Sequence, residues 1–154
     1  MKPQIGVIGS GICNNGISNP SICDLAKEVG KHIAKNGAIL ICGGRGGVME
    51  AAAFGAKESG GITVGILPGE HHSDANPYID IAITTAMGHA RNTIIAQSSS
   101  VLIAVGGRYG TLSEIALALS MEKPVVVIAS KWEIDGVYIA KTPKDAVDIA
   151  LKFI

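Results

Sequence analysis

The sequence predicts an α/β fold built on a mostly parallel, twisted sheet of six or seven strands with helices on both faces. Short apolar runs that suit buried strands alternate with segments whose apolar residues recur at helical spacing. Hydrophobic residues make up 47% of the chain and aromatic residues only 4%, so the core is aliphatic, as in parallel sheets covered by helices. Glycine-rich turns follow three of the predicted strands and so lie at the carboxyl ends of the strands, the edge at which such sheets bind ligands.

The strands are predicted from the apolar runs, since a strand covered on both faces is apolar throughout. A polar loop at 68–77 precedes a weaker, extended segment, and 131–139 is irregular or a short strand. The predicted strands are 5–8, 38–41, 62–67, 78–85, 101–105 and 124–128.

The helices are predicted from apolar residues at helical spacing between those strands. Asn19 followed by Pro20 favours the start of the first helix, because Asn caps helices and Pro is tolerated in the first turn. Asn36-Gly37 is a stop signal for that helix, and Pro143 begins the last one. The predicted helices are 20–36, 48–58, 88–97, 111–121 and 143–153.

Length and charge limit the possible functions. We expect one domain spanning residues 1–154. Basic and acidic residues number 13 each, and no basic stripe indicates a nucleic-acid polymer or a membrane surface as partner. The low charged fraction of 17% favours a homo-oligomer, a dimer or tetramer, that covers apolar surface. No signal peptide or membrane span is evident, so a cytoplasmic location is expected.

The cysteines and histidines do not indicate a metal site. Cys13, Cys23 and Cys42 are odd in number and lack metal-ligand spacing, so we interpret them as thiols of a reducing compartment. His71, His72 and Asp74 lie together, but without a matching ligand nearby they are better explained by a polar lid loop. We therefore expect no bound metal.

The glycine-rich turns indicate phosphate binding. The strand 101–105 runs through Gly106 and Gly107 towards a helix predicted from Thr111, which directs free N–H groups and the positive helix dipole to one point. Similar turns follow the first two strands and lie at the same sheet edge. The candidate phosphate- or nucleotide-binding residues are Gly9, Ser10, Gly43, Gly44, Arg45, Gly46, Gly107, Arg108, Tyr109, Gly110 and Thr111.

Two common nucleotide signatures are absent from these turns. In the Gly9-Ser-Gly11 turn, the third glycine of a dinucleotide fingerprint is replaced by Asn14, and the second strand leads into Cys42-Gly43-Gly44 rather than an acid. No glycine is followed by Lys and then Ser or Thr, so a Walker A loop is absent.

The segment Gly106-Gly-Arg-Tyr-Gly-Thr-Leu-Ser-Glu114 resembles the Pro-Gly-Gly-x-Gly-Thr-x-x-Glu motif of the "lonely guy" proteins. The turn at 43–49 resembles an earlier glycine-rich turn of that family, and residues 87–91 resemble the segment that carries the family's essential arginine. Those proteins are cytokinin-activating phosphoribohydrolases, long mislabelled as lysine decarboxylases. The resemblance implies a three-layer Rossmann-like sandwich, usually dimeric or larger.

The resemblance also implies two functions. The first is hydrolysis of the N-glycosidic bond of a nucleoside 5′-monophosphate to base and ribose 5-phosphate, with Glu114 and Arg91 catalytic. The alternative is a non-catalytic carrier of a nucleotide or a phosphate-bearing pterin, because the molybdenum cofactor carrier proteins share the fold and bind without cleaving. The motif's proline is replaced by Gly106, its second glycine by Arg108, and the lysine after the family's arginine by Asn92, which places the chain nearer the carriers. We expect that neither function requires a cofactor and that the ligand itself is a nucleoside monophosphate or a phosphate-bearing pterin.

Glu114 and Arg91 each have a second explanation. Thr111 and Glu114 fit a capping box, although a carboxylate near an anomeric carbon would stabilise an oxocarbenium-like transition state and orient water. Arg91 in a first helical turn opposes the dipole, which favours a role in binding phosphate or ribose, or in holding Glu114. The alternative for Arg91 is a surface residue of a helix that starts earlier.

Overall fold

A computed structural model describes residues 1–13 and 21–154. Within those ranges, seven strands form one sheet in the order β4-β3-β2-β1-β5-β6-β7, with every neighbouring pair parallel. The strands are β1 Gln4–Gly9, β2 Ile39–Cys42, β3 Thr63–Leu67, β4 Ile81–Thr84, β5 Val101–Val105, β6 Val125–Ile128 and β7 Tyr138–Ala140. The helices are α1 Ile22–Lys35, α2 Val48–Glu58, α3 Asn92–Ser98, α4 Tyr109–Ser120 and α5 Pro143–Leu151, with 3₁₀ turns at His72–Asp74 and Gly88–Arg91.

The sheet is the middle of three layers. Buried residues of α1, α2 and α5 pack with Val101, Ile103 and Val105 on one face of β5. Buried residues of α3 and α4 pack with Leu102 and Ala104 on the other face. Because successive side chains of a strand point to opposite faces, one apolar run supplies both halves of the core. The predicted Rossmann-like α/β sandwich is confirmed.

Small residues allow α1 and α2 to pack closely on their shared face of the sheet. A Cβ atom added at Gly30 would overlap the carbonyl oxygen of Ala52, and one added at Gly55 would overlap that of Lys27. Backbone-to-backbone contact at these two positions therefore requires glycine. This packing positions the N-terminus of α2 beside the turn that follows β1, where the Ser10 carbonyl oxygen accepts the Val48 N–H at 2.8 Å.

Several element boundaries differ from the sequence prediction. The predicted helix start at Asn19 and Pro20 lies outside the described residues; α1 is capped by Ser21, which forms a capping box with Asp24. The predicted helix 88–97 begins as a 3₁₀ turn before α3. Part of the ambiguous segment 131–139 belongs to β7, the short strand at one edge of the sheet. None of the helices described is long and apolar enough to cross a bilayer.

The expectation that all three cysteines are thiols is wrong. Cys13 and Cys23 form a disulfide, with their Cα atoms 5.6 Å apart, whereas Cys42 is a buried thiol. Cys13 follows the first glycine-rich turn and Cys23 lies in the first turn of α1. Cys13 follows the end of β1 and Cys23 lies at the start of α1, and sequence spacing alone does not reveal that these two positions are close in space.

Candidate functional site

A cavity of about 560 Å³ lies at the carboxyl ends of β1 and β5. These strands are neighbours at the centre of the sheet, where the strand order reverses direction. Open α/β sheets bind ligands at such a switch point. The cavity is lined by Gly9, Ser10, Gly11, Ile12, Met49, Arg91, Asn92, Arg108, Gly110, Thr111 and Glu114.

The cavity brings together many, but not all, of the residues predicted from sequence. Its wall includes both candidate catalytic residues and, of the candidate binding residues, Gly9, Ser10, Arg108, Gly110 and Thr111. The structure places six candidates outside the wall: Gly43, Gly44, Arg45, Gly46, Gly107 and Tyr109. The Arg45 guanidinium instead lies 4.0 Å from the Asp74 carboxylate.

The second glycine-rich turn supports the cavity from behind. Gly43 accepts a hydrogen bond from Arg91 through its carbonyl oxygen, and a Cβ at Gly43 would lie 2.5 Å from Nη2 of Arg91. Gly47 has a φ of +67°, and a Cβ there would overlap the backbone of Ser10 and Gly11. Gly47 is required because the backbone of the first turn lies directly against it, whereas Gly43 leaves room for the Arg91 guanidinium.

The N-terminus of α4 faces the cavity. The helix begins at Tyr109, and Leu112 donates the first backbone hydrogen bond of the helix, to the Arg108 carbonyl. The amides of Tyr109, Gly110 and Thr111 therefore have no acceptor within the helix. Together with the Thr111 hydroxyl and the exposed Arg108 side chain, they form a group of donors suited to an anion.

The capping-box interpretation of Thr111 and Glu114 is wrong. The N-cap residue of α4 is Arg108, no side chain caps the helix, and Thr111 is its third residue. Gly107, with a φ of +105°, packs directly on the Thr111 side chain and allows the helix to begin before that residue. Glu114 is therefore one turn further into the helix than a capping box requires.

Arg91 is buried, which excludes the interpretation as a surface residue. Its side chain is 9% exposed and donates hydrogen bonds from Nη1 to the Asn92 side chain and from Nη2 to the Gly43 carbonyl. Its Nε has no hydrogen-bond partner among the described residues. Burial lowers the pKa of Arg91, although Glu114 opposes that shift. A buried donor without a partner is costly, so this atom is a candidate to bind a ligand.

Glu114 faces the cavity as a buried carboxyl group. The residue is 8% exposed, and burial raises its pKa from 4.5 to about 7, while the positive charge of Arg91 lowers it. Among the described residues, no basic group lies within the 4.0 Å of an ion pair with this carboxyl. Near neutral pH, Glu114 can therefore exist as a neutral acid or as a carboxylate.

Sequence reasoning did not select four of the residues that line the cavity. Gly11 and Ile12 continue the first turn, and Met49 lies in the first turn of α2. Asn92 accepts a hydrogen bond from Arg91, and its position next to that arginine is a signal that could have identified it. Ile12, an exposed apolar residue in a polar turn, is a second such signal.

Comparisons with known proteins identify the family and support the fold. The profile of the SLOG cluster4 family matches residues 2–152. The structure described as the molybdenum cofactor binding protein of Rippkaea orientalis is 39% identical, with a TM-score of 0.90 over 99% of this chain and 97% of that one. The molybdenum cofactor carrier protein of Chlamydomonas reinhardtii is 40% identical, with a TM-score of 0.87 over 99% of this chain and 98% of that one.

A more distant similarity connects the chain to enzymes. The cytokinin riboside 5′-monophosphate phosphoribohydrolase of Mycobacterium tuberculosis is 30% identical over 139 residues, which cover 80% of this chain and 71% of that protein.

Proposed function

The chain belongs to the SLOG cluster4 family, and we propose that it binds a phosphate-bearing pterin, the molybdenum cofactor, as cargo without cleaving it. The observation that carries the proposal is the similarity, over nearly the whole chain, to the two cofactor-binding structures at 39% and 40% identity. The cavity supports it with donors for the phosphate, and its volume of about 560 Å³ lies in the range of small-molecule sites.

The phosphate of the cargo fits the N-terminus of α4. Gly110 and Thr111 supply amide donors, Thr111 adds a hydroxyl, and Arg108 supplies a cation from the residue before the helix. The helix dipole adds to the attraction for a doubly charged oxyanion. The partnerless Nε of Arg91 offers a further donor within the same wall.

Cofactor capture tests this proposal. Molybdenum cofactor released anaerobically from a denatured molybdoenzyme is mixed with the protein, and the mixture is separated by gel filtration. We expect pterin and molybdenum to elute with the protein. Absence of both from the protein fraction at micromolar concentrations contradicts the proposal.

Arg108→Ala with Arg45→Ala as its matched control tests the placement of the phosphate. Arg108 lines the cavity, whereas Arg45 lies outside it near Asp74. Loss of a charge-assisted hydrogen bond costs about 1.5–3 kcal/mol, so Arg108→Ala should weaken cargo binding about 10- to 150-fold. Arg45→Ala should bind like the wild-type protein; equal effects of the two variants would place the phosphate elsewhere.

A second candidate function is hydrolysis of a nucleoside 5′-monophosphate at its N-glycosidic bond. It is favoured by Glu114, a cavity-facing carboxyl with a pKa of about 7, and by the similarity to the mycobacterial phosphoribohydrolase. An ionised Glu114 would stabilise positive charge at the sugar and orient the attacking water. Chromatography of a panel of nucleoside monophosphates should then show free base, and Glu114→Gln should abolish its release.

The homo-oligomer and the cytoplasmic location stay predictions. Half-exposed apolar residues, among them Ile81 and Ile83 on the edge strand β4, support association of copies. Light scattering of the purified protein measures the number of copies directly.

A further inference from the structure

The Cys13–Cys23 disulfide joins the wall of the first cavity to the start of α1. Cys13 directly follows residues 10–12, which line the cavity at the carboxyl end of β1. Cys23 is the second residue of α1. The two Cα atoms are 5.6 Å apart, so this bond holds the end of the first glycine-rich turn beside the helix.

The first glycine-rich turn, residues 9–12, is fixed at its beginning by contacts with α2. The Ser10 carbonyl accepts the first N–H of that helix at 2.8 Å, and Gly11 packs against Gly47. The Ile12 N–H donates to the Ser10 hydroxyl at 3.2 Å, which is a bond within the turn itself. In the part of the chain that the structure describes, no hydrogen bond joins Ile12 or the cysteine after it to another element. There, the disulfide is the bond that fixes the end of the turn.

α1 is a rigid attachment point for this bond. A capping box orders its first turn, and close packing against α2 fixes the helix on the sheet. Ile22, next to Cys23, packs on Gly106, where an added Cβ would lie 2.7 Å from the Ile22 side chain. Gly106 leads from β5 towards Arg108, the N-cap residue of α4. The disulfide therefore connects the turn after β1, through the start of α1, to the turn that precedes the phosphate donors.

The disulfide is accessible to a dithiol reductant. Cys13 is exposed, whereas Cys23 is half-buried. A thiolate of the reductant can attack the Cys13 sulfur, and the Cys23 sulfur then leaves as a thiolate at the N-terminus of α1, where the helix dipole favours negative charge. The second thiol of the reductant displaces the Cys13 sulfur. Two electrons and two protons pass to the protein, which becomes a dithiol, and the reductant becomes a disulfide.

We propose that the Cys13–Cys23 disulfide is a thiol–disulfide exchange site that sets how tightly the first cavity holds its ligand. The disulfide form keeps residues 9–12 in the conformation that lines the cavity, so the ligand meets a preorganised wall. In the dithiol form the end of the turn lacks this constraint, and ordering it opposes binding. A dithiol reductant therefore promotes release of the ligand. The inference rests on the proposed function in taking a phosphate-bearing molecule as that ligand.

Isothermal titration with neopterin monophosphate, a phosphate-bearing pterin without a metal, compares the oxidised protein with protein reduced by dithiothreitol. We expect the oxidised form to bind about 5- to 150-fold more tightly, the range typical of coupling between two sites. Cys13→Ser combined with Cys23→Ser should bind like the reduced protein, whether or not reductant is present. Val147→Ala, in the core beneath α5 and outside the cavity wall, lowers stability and should bind like the oxidised wild type.

The reduction potential of the disulfide supplies a second measurement. A ligand that binds the disulfide form more tightly makes the disulfide harder to reduce by the same factor. A tenfold change corresponds to about 30 mV for a two-electron couple, so saturating neopterin monophosphate should lower the potential by about 20–65 mV. Alkylation after denaturation measures the two forms, since the oxidised protein has one thiol, Cys42, and the reduced protein has three.

The outcomes separate the exchange site from the proposed function. If the two forms bind neopterin monophosphate equally, or the reduced form binds it more tightly, the inference is refuted and the proposed function stands. If the reduced protein loses its native circular dichroism spectrum, or if Val147→Ala loses as much affinity, the disulfide has only a structural role and the inference is refuted. An affinity that falls on reduction without a shift in potential refutes it as well. If the oxidised wild type does not bind neopterin monophosphate, the inference fails, and capture of the molybdenum cofactor decides the proposed function separately.

Discussion

Glu114→Gln should remove a pH dependence of stability that originates in the first cavity. The wild-type carboxyl is 8% exposed, and burial raises its pKa to about 7, against 4.5 for an unperturbed group. Glutamine has a similar shape but does not titrate. The difference between the two proteins therefore isolates the cost of ionising this one group inside the fold.

The sign and size of the effect follow from proton linkage. Between pH 4.5 and about 7, the folded protein holds a proton on Glu114 that the unfolded chain has released. The free energy of unfolding of the wild-type protein therefore falls as the pH rises through this window. A rise of the Glu114 pKa from 4.5 to about 7 corresponds to about 3 kcal/mol of stability, which is lost in full once the pH exceeds the pKa of the folded protein.

Urea unfolding followed by circular dichroism between pH 4.5 and 8.5 measures this difference. We expect the stability of Glu114→Gln relative to wild type to rise by about 3 kcal/mol across the range. The control is Glu70→Gln, at an exposed loop position, whose free energy of unfolding should change with pH as that of the wild type does. If the free energy of unfolding of Glu114→Gln also changes with pH as that of the wild type does, Glu114 is ionised in the folded protein over the whole pH range and the reasoning is refuted.

Two further predictions concern the scaffold. Replacing Cys13 and Cys23 by serine should lower the free energy of unfolding by about 3 kcal/mol, because the disulfide restricts the unfolded chain between cysteines 10 residues apart. Urea unfolding of the reduced wild-type protein should show the same loss of stability. Reductant should not change the stability of the double variant. Gly30→Ala should destabilise the protein by about 1–3 kcal/mol despite the better helix propensity of alanine, because its Cβ overlaps the Ala52 carbonyl. Gly110→Ala, whose Cβ would meet open space, is the control and should unfold at the wild-type urea concentration or above it.

The sequence predicted those parts of the fold that depend on local pattern. The run Val101–Val105 is buried on both faces, so its composition alone indicates a central strand. The strand β7 was ambiguous because it is a short edge strand with Tyr138 and Ile139 exposed, and so lacks a continuous apolar pattern.

The site was predicted at the level of turns but not of individual contacts. The motif around Glu114 placed the residue at the correct sheet edge, because glycine-rich turns after parallel strands lie there. The burial of Arg91 was not predictable, since it requires Gly43 to leave room for the guanidinium. The sequence also could not show that the first and second glycine-rich turns have different roles, because only the packing of Gly47 against the backbone of Ser10 and Gly11 reveals that the second turn supports the first.

The protonation state of Glu114 separates the two candidate functions more sharply than any single binding constant. A carrier benefits from a neutral Glu114, which does not repel the phosphate, and from a dianionic phosphate, whose second pKa is about 6. With a pKa of about 7 for Glu114, cargo binding should be tightest near pH 6–7 and weaken above it. A phosphoribohydrolase needs the ionised carboxylate, so its kcat should rise through the same pH range in which binding weakens. Binding and turnover measured on one preparation at pH 6 and pH 8 therefore distinguish the functions, and a pH-independent affinity would exclude Glu114 from contact with the phosphate.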